Sequence, residues 1–194
     1  MASTRRLGSG NSATRNVLMD AVEAVMREDG YAALSARTVA VKAELKHQLV
    51  YYYFETLDEL LLATYRRHIS RYWNRLQDAF LSERPLHAFW KAHSDPNDSV
   101  LNMEFLAMAN HNEVIRRDTV EFGERVRRLG LETVNGLIKR PDRKGSEVVA
   151  PFAVTMVLSS IGMILGLETS LGIAGGHAET RALIEWCIDE LEPA

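Results

Sequence analysis

The sequence predicts an all-α fold of about nine helices, with a three-helix N-terminal head and a larger helical part behind it. Three observations carry that expectation. Apolar residues recur at the three-and-four spacing of a helix along nearly the whole chain. No stretch sustains the period-two alternation of a half-buried strand, and glycine or proline breaks the pattern between the periodic segments. With 194 residues, 46% apolar and 25% charged, the chain is long enough for a sizeable core and has the composition of a folded, water-soluble protein.

The elements follow in order. Residues 1 to 11, small and polar with Arg5 and Arg6, read as a flexible arm that either trails along phosphates or enters a minor groove, where Arg15 could join them. Leu18, Ala21, Val22 and Val25 define a first helix from about Ser12 to Asp29, stopped by Gly30. Ser35 caps a short second helix through Ala43, and a third should run from about His47 to Tyr53. Thr56 and Glu59 form a capping box for a long fourth helix striped by Leu61, Tyr65, Ile69, Tyr72, Leu76 and Phe80. A short helix follows Pro85, and Asp95-Pro96 opens another. Asn112 to Arg140 forms a long helix broken by Pro141 and Gly145, and Ser146 starts an uncharged one. Gly172, Gly175 and Gly176 precede a last helix with Ile184, Cys187, Ile188 and Leu191 on one face. The expected division is residues 12–62 for the head and 63–194 for the rest, joined through the fourth helix.

Net charge is −3, so bulk electrostatics does not drive the molecule onto nucleic acid. Residues 1 to 54 nevertheless hold seven Lys/Arg against five acids. The single Cys187 excludes an intrachain disulfide and suits a reducing, cytoplasmic setting. Residues 148 to 167 carry no charge and reach the length of a membrane span, with Gly162 and Gly166 at a spacing seen in membrane helix pairs. Pro151, Thr155 and the Ser159-Ser160 pair dilute the run, and no second span accompanies it. A helix buried on all sides in a bundle or dimer is the favoured reading, with no membrane partner.

The most informative segment is Val50-Tyr51-Tyr52-Tyr53-Phe54. Its β-branched and aromatic residues favour a strand locally, but a lone strand has no partner in a helical chain. Three consecutive tyrosines behind two short helices suit a charged, flat surface, and DNA backbone is one. In such a head the first turn of the recognition helix faces base edges while neighbours grip phosphates. Lys46, His47, Gln48 and Leu49 occupy that turn. Gln48 can pair with adenine, His47 with guanine or phosphate, and Leu49 can touch a thymine methyl. Tyr52 and Tyr53 offer hydroxyls to phosphate and Arg37 a guanidinium, although a solvated face is a competing reading for Arg37 and Lys46.

Gly30, Thr38-Val39-Ala40, Ala43, Tyr51-Tyr52-Tyr53-Phe54 and Leu60-Leu61 together resemble the TetR family of bacterial transcriptional repressors, closely over Ser12 to Leu62 and only architecturally beyond. The resemblance implies that Tyr51 sits at the DNA backbone beside Tyr52 and Tyr53, and that the larger part binds a small effector and dimerises. Three positions depart from the family pattern. Glu44 stands where glycine is usual, at a cost of roughly 1 kcal/mol if the backbone there is left-handed. Lys46 replaces a small capping residue, and Leu57 replaces a phosphate-binding lysine.

In the larger part, Trp73, Phe89, Trp90, Met103, Phe105, Met108, Phe122 and Met156 are candidate linings for an apolar effector pocket, with ordinary core as the competing reading. His93, Asn110 and His111 could add polar selectivity. Ser159, Gly162, Gly166, Ile184 and Ile188 are the candidate dimer contacts in a four-helix interface. A two-fold dimer would set its recognition helices about 34 Å apart and read a palindromic operator in double-stranded DNA. No metal, phosphate-loop or nucleophile-elbow motif is present, so neither an enzyme nor a cofactor is expected. The remaining alternative is a helical ligand-binding or interaction protein with a degenerate head.

Overall fold

The structure, a computed structural model, describes residues 13–138 and 150–192. The N-terminal arm, the helix start at Ser12, and the break around Pro141, Gly145 and Ser146 lie outside the described residues. Among these residues there are nine α-helices, one short 3-10 turn and no strand, so the all-α expectation holds. The helices are α1 (Ala13–Asp29), α2 (Ala36–Lys42), α3 (Gln48–Tyr53), α4 (Leu57–Phe80), α5 (Pro85–His93), α6 (Pro96–Ala109), α7 (Glu113–Ile138), α8 (Pro151–Ser170) and α9 (His177–Leu191), with the 3-10 turn at Tyr31–Ala33.

Local chemistry sets these boundaries. Gly30 adopts φ 76° and turns the chain out of α1. Ser35 and Thr38 form a reciprocal capping box, Thr38 N–H donating to Ser35 Oγ at 3.1 Å and Ser35 N–H to Thr38 Oγ1 at 2.9 Å. Thr56 accepts the Glu59 N–H at 3.0 Å, while the Glu59 carboxylate takes the N–H of Glu55 at 2.7 Å, one residue before the cap. Val50 to Phe54 is helical through Tyr53, so packing overrides the strand preference of that block. Val50 and Phe54 are fully buried and anchor it.

The chain forms two compact units. The first reaches Ile69 and includes Met103–Asp118. Its core joins Leu18, Val22 and Val25 of α1, Val39 and Ala40 of α2, Val50, Phe54, and Leu60 and Leu61 of α4. Arg67 holds α4 to α1, donating to Glu23 at 2.8 Å and to the Asn16 carbonyl at 3.2 Å, and pairing with Asp20 at 2.7 Å. The carboxylate of Glu104 on α6 accepts the Tyr31 N–H at 2.7 Å, and Asp118 at the start of α7 accepts from Arg66 at 2.8 Å.

The second unit comprises Ser70–Asn102 and the described residues from Thr119 onward. Tyr72, Leu76 and Phe80 of α4 meet Phe89 and Trp90 of α5, Val134 of α7, Leu158 and Leu165 of α8, and Ile184 and Ile188 of α9. The first turn of α5 has no side-chain cap of its own. Glu192 from the far end of the chain supplies one, accepting the Leu86 and His87 N–H groups at 3.0 and 3.3 Å.

The helix α8, uncharged until Glu168 near its end, is buried on one side only. Length and composition alone would let it cross a membrane, yet 28% of its apolar window is buried within the chain. Thr155, Leu158, Gly162, Leu165 and Gly166 face inward, whereas Phe152, Met156, Val157 and Ile164 are exposed. The expectation of a helix buried all round therefore fails for the single chain.

Candidate functional site

The head presents a helix, a turn and a helix, with α2 packed against α1 and α3. The turn between α2 and α3 runs through Glu44 at φ 54°, the left-handed backbone that the usual glycine would adopt freely. Glu44→Gly is expected to raise stability by about 1 kcal/mol, because the glycine lacks the Cβ that strains this conformation. Chemical denaturation measures it, and an unchanged midpoint would show the turn unstrained.

His47 sits at the N-cap of α3 with helical angles and no capping hydrogen bond, so α3 begins at Gln48, one residue later than expected. Lys46, His47 and Gln48 are all exposed, and Leu49 is half-buried, which leaves only part of its side chain available to a base. Tyr51 and Tyr52 are exposed at 45% and 51%, and Tyr53 is half-buried. The exposed tyrosine rings are held in place: Tyr51 packs edge-on against His47 at 5.3 Å and Tyr52 against Tyr53 at 5.0 Å. Arg37 on α2 is exposed and, like Lys46, has no ion-pair partner among the described residues, whereas Lys42 is bound by Glu28 at 2.5 Å. Arg15 lies in α1 and turns inward, donating to the Tyr53 carbonyl at 2.7 Å and covering the Phe54 ring at 4.0 Å. It braces the end of α3.

The second unit holds a cavity of about 210 Å³, open on one side. Tyr72 of α4, Phe89 and His93 of α5, Phe122 and Val126 of α7, and Thr155, Met156 and Ser159 of α8 line it, with Gly123, Arg127 and Ser160 completing the wall. Of the eight lining candidates read from the sequence, Phe89, Phe122 and Met156 are here. Trp73 stands beside the pocket, edge-on to Phe122 at 6.5 Å and capped by Arg125 at 4.2 Å. Trp90 belongs to the core of the second unit. Met103, Phe105 and Met108 fall in the first unit, where Phe105 packs on Tyr65 at 5.0 Å. Helical periodicity marks such residues as apolar but does not say which neighbour they meet. Of the three polar candidates only His93 lines the pocket; Asn110 and His111 are exposed in the first unit.

Burial lowers the His93 pKa from 6.5 to about 4, partly opposed by its hydrogen bond to the Phe89 carbonyl. A histidine depressed in the folded state binds its proton more readily when unfolded, so its contribution is present above pH 6.5 and lost as pH falls toward 4. The loss is about 3 kcal/mol at most. Denaturation midpoints measured between pH 7 and 4 should show it, and His93→Phe should flatten that part of the curve.

The candidate dimer contacts are placed otherwise than expected. An added Cβ on Gly162 would meet His93 Cβ at 3.0 Å and its carbonyl carbon at 3.1 Å, and one on Gly166 would overlap the Ser99 side chain. Both glycines thus admit α5 and α6 of their own chain. Ile184 and Ile188 are buried core, and Ser159 lines the pocket. The outward apolar residues are instead Phe152, Val157 and Ile164 on α8 and Leu183 and Trp186 on α9, the last 59% exposed.

Residues 18–64 match the family model of bacterial regulatory proteins, tetR family. The whole chain is similar in fold to a Rhodococcus sp. protein assigned as a TetR-family transcriptional regulator, with TM-score 0.74 and 16% identity over 93% of this chain and 100% of that one. It is also similar to a TetR transcription regulator from Haloarcula marismortui, with TM-score 0.64 and 24% identity over 94% and 92% of the two chains. A third similar fold is the ketosteroid transcriptional regulator KstR2 of Mycobacterium tuberculosis, with TM-score 0.61 and 15% identity over 92% and 96%. No curated protein sequence matches the chain.

Proposed function

We propose, from the premise that this chain belongs to the tetR family of bacterial regulatory proteins, that it is a cytoplasmic homodimeric repressor released from a palindromic operator by a small, largely apolar effector. Membership makes it a DNA-binding transcriptional regulator, not an enzyme. The observation that carries the finer reading is the exposed set of Arg37, Lys46, His47, Gln48, Tyr51 and Tyr52 on a helix-turn-helix whose buried residues, Val50 and Phe54, fix its position. Cations without internal partners and a rigid tyrosine pair suit phosphate gripping, and Gln48 in the first turn suits base reading.

The exposed Phe152, Val157 and Ile164 of α8 and the exposed Leu183 and Trp186 of α9 support a two-fold dimer, since an apolar surface of this kind is costly to leave in water. Effector release would act through α4, which carries Tyr72 of the pocket and starts directly behind the recognition helix. A ligand that favours one α4 position shifts the population toward heads that no longer match the groove spacing.

The test is capture of sheared genomic DNA from the source organism by the purified protein, followed by sequencing. One short palindrome with half-sites about one helical turn apart is the expected result. Gln48→Ala should then weaken binding to that palindrome by about 1–3 kcal/mol while leaving non-specific binding at low salt intact. Absence of any enriched sequence from a folded dimer would overturn the proposal.

A further inference from the structure

We propose that the pocket of α4, α5, α7 and α8 selects a compact, uncharged ring compound bearing a hydroxyl, which donates its proton to Nε2 of His93. The inference rests on reading this pocket as the effector site.

Size sets the first guide. An apolar cavity of about 150 Å³ binds benzene, so about 210 Å³ has room for one ring with a small substituent. Shape sets the second. His93 lies between aromatic neighbours, 4.1 Å from the Phe89 ring and edge-on to Tyr72 at 5.5 Å, and Phe122 stands 5.9 Å from Tyr72. Flat, polarizable walls favour a flat guest that can stack or meet them edge-on.

Polarity sets the third. His93 Nδ1 is 3.0 Å from the Phe89 carbonyl oxygen. A carbonyl only accepts, so Nδ1 carries the proton and the neutral ring leaves Nε2 as a bare lone pair. Burial keeps the ring neutral at physiological pH. Thr155 Oγ1 donates to the Phe152 carbonyl at 3.1 Å and Ser159 Oγ to that of Met156 at 3.2 Å. With those protons committed to the helix backbone, both oxygens also meet a guest as acceptors. Three acceptors in one lining invite a donor and repel a carboxylate, whose lone pairs would oppose theirs. Arg127 and Ser160 are the exposed polar members of the lining, and the Arg127 charge is already answered by Glu124 at 3.1 Å.

The test is calorimetric titration of the full chain with 4-ethylphenol, 4-ethylanisole and 4-ethylbenzoate, which share a ring and an ethyl group. The phenol should bind, and its methyl ether, which lacks the donor, should bind about ten- to a hundredfold more weakly because Nε2 is left unpaired. The benzoate should not bind measurably. His93→Phe should abolish the preference for the phenol over the ether, and His93→Gln, which keeps an acceptor, should restore part of it. Equal affinity of phenol and ether, tighter binding of the benzoate, or no binding of any of the three would overturn the proposal. If either variant fails to fold, the wild-type series alone decides. A parallel gel shift on operator DNA separates this claim from the effector reading. A phenol that binds with the predicted selectivity but leaves DNA retained refutes the effector role and keeps the ligand class.

Discussion

Gly162→Ala is expected to lower stability by about 2–3 kcal/mol and the melting temperature by roughly 5–10 °C. The added methyl would meet His93 Cβ at 3.0 Å, its carbonyl carbon at 3.1 Å and its carbonyl oxygen at 3.2 Å. Two of these three atoms are backbone, so no rotamer change relieves the clash; α5 itself must move. Gly136→Ala is the matching control. Gly136 also lies inside a helix, α7, but nothing stands within 4 Å of its would-be Cβ. There alanine should stabilise by about 0.5–1 kcal/mol through helix propensity alone. Thermal unfolding of both variants checks the pair. A Gly162→Ala protein as stable as the parent would mean that α8 does not sit on α5 as described.

Trp186→Glu is expected to convert the proposed dimer to monomer without unfolding the chain. Trp186 is 59% exposed in the isolated chain, so a carboxylate there meets water in the monomer and costs the fold little. In a two-fold interface the same residue is buried and appears twice. Loss of a central tryptophan typically costs at least about 2 kcal/mol. Counted twice, that raises the dimer dissociation constant by about a thousandfold. Sedimentation velocity at micromolar concentration should show a monomer with unchanged helical circular dichroism, and operator affinity should fall with it. A variant that stays dimeric would place the interface elsewhere.

Much of the head was legible from residues close together in the chain. The Ser35 and Thr56 caps, the Gly30 stop and the three-and-four stripe of α1 act over one or two turns, and each was found where the pattern put it. Glu44 was legible as a strained position only through the resemblance, in which glycine is usual at that turn, and its φ of 54° bears that reading out. Arg15 was not. Grouped with the N-terminal arginines as either trailing along phosphates or entering a minor groove, it packs on Phe54 and bonds Tyr53 across 38 positions of sequence, a contact no local rule anticipates.

The larger part divides the same way. Helix number and type followed from periodicity and from glycine and proline punctuation, because backbone hydrogen bonding within a helix is satisfied locally. Which side of α8 turns inward did not follow. That helix is apolar all round, so no polar face marks the solvent side. Only the approach of α5 and α6 to Gly162 and Gly166 selected the inner face, leaving Phe152, Val157 and Ile164 outside. The pocket was decided in the same way. His93, Phe122 and Thr155 are far apart in sequence, and the packing of their three helices brings them to one wall. The sequence by itself determined the helices and the reading head; the tertiary structure decided which apolar faces became core, pocket or open surface, because burial depends on a partner helix that periodicity does not specify.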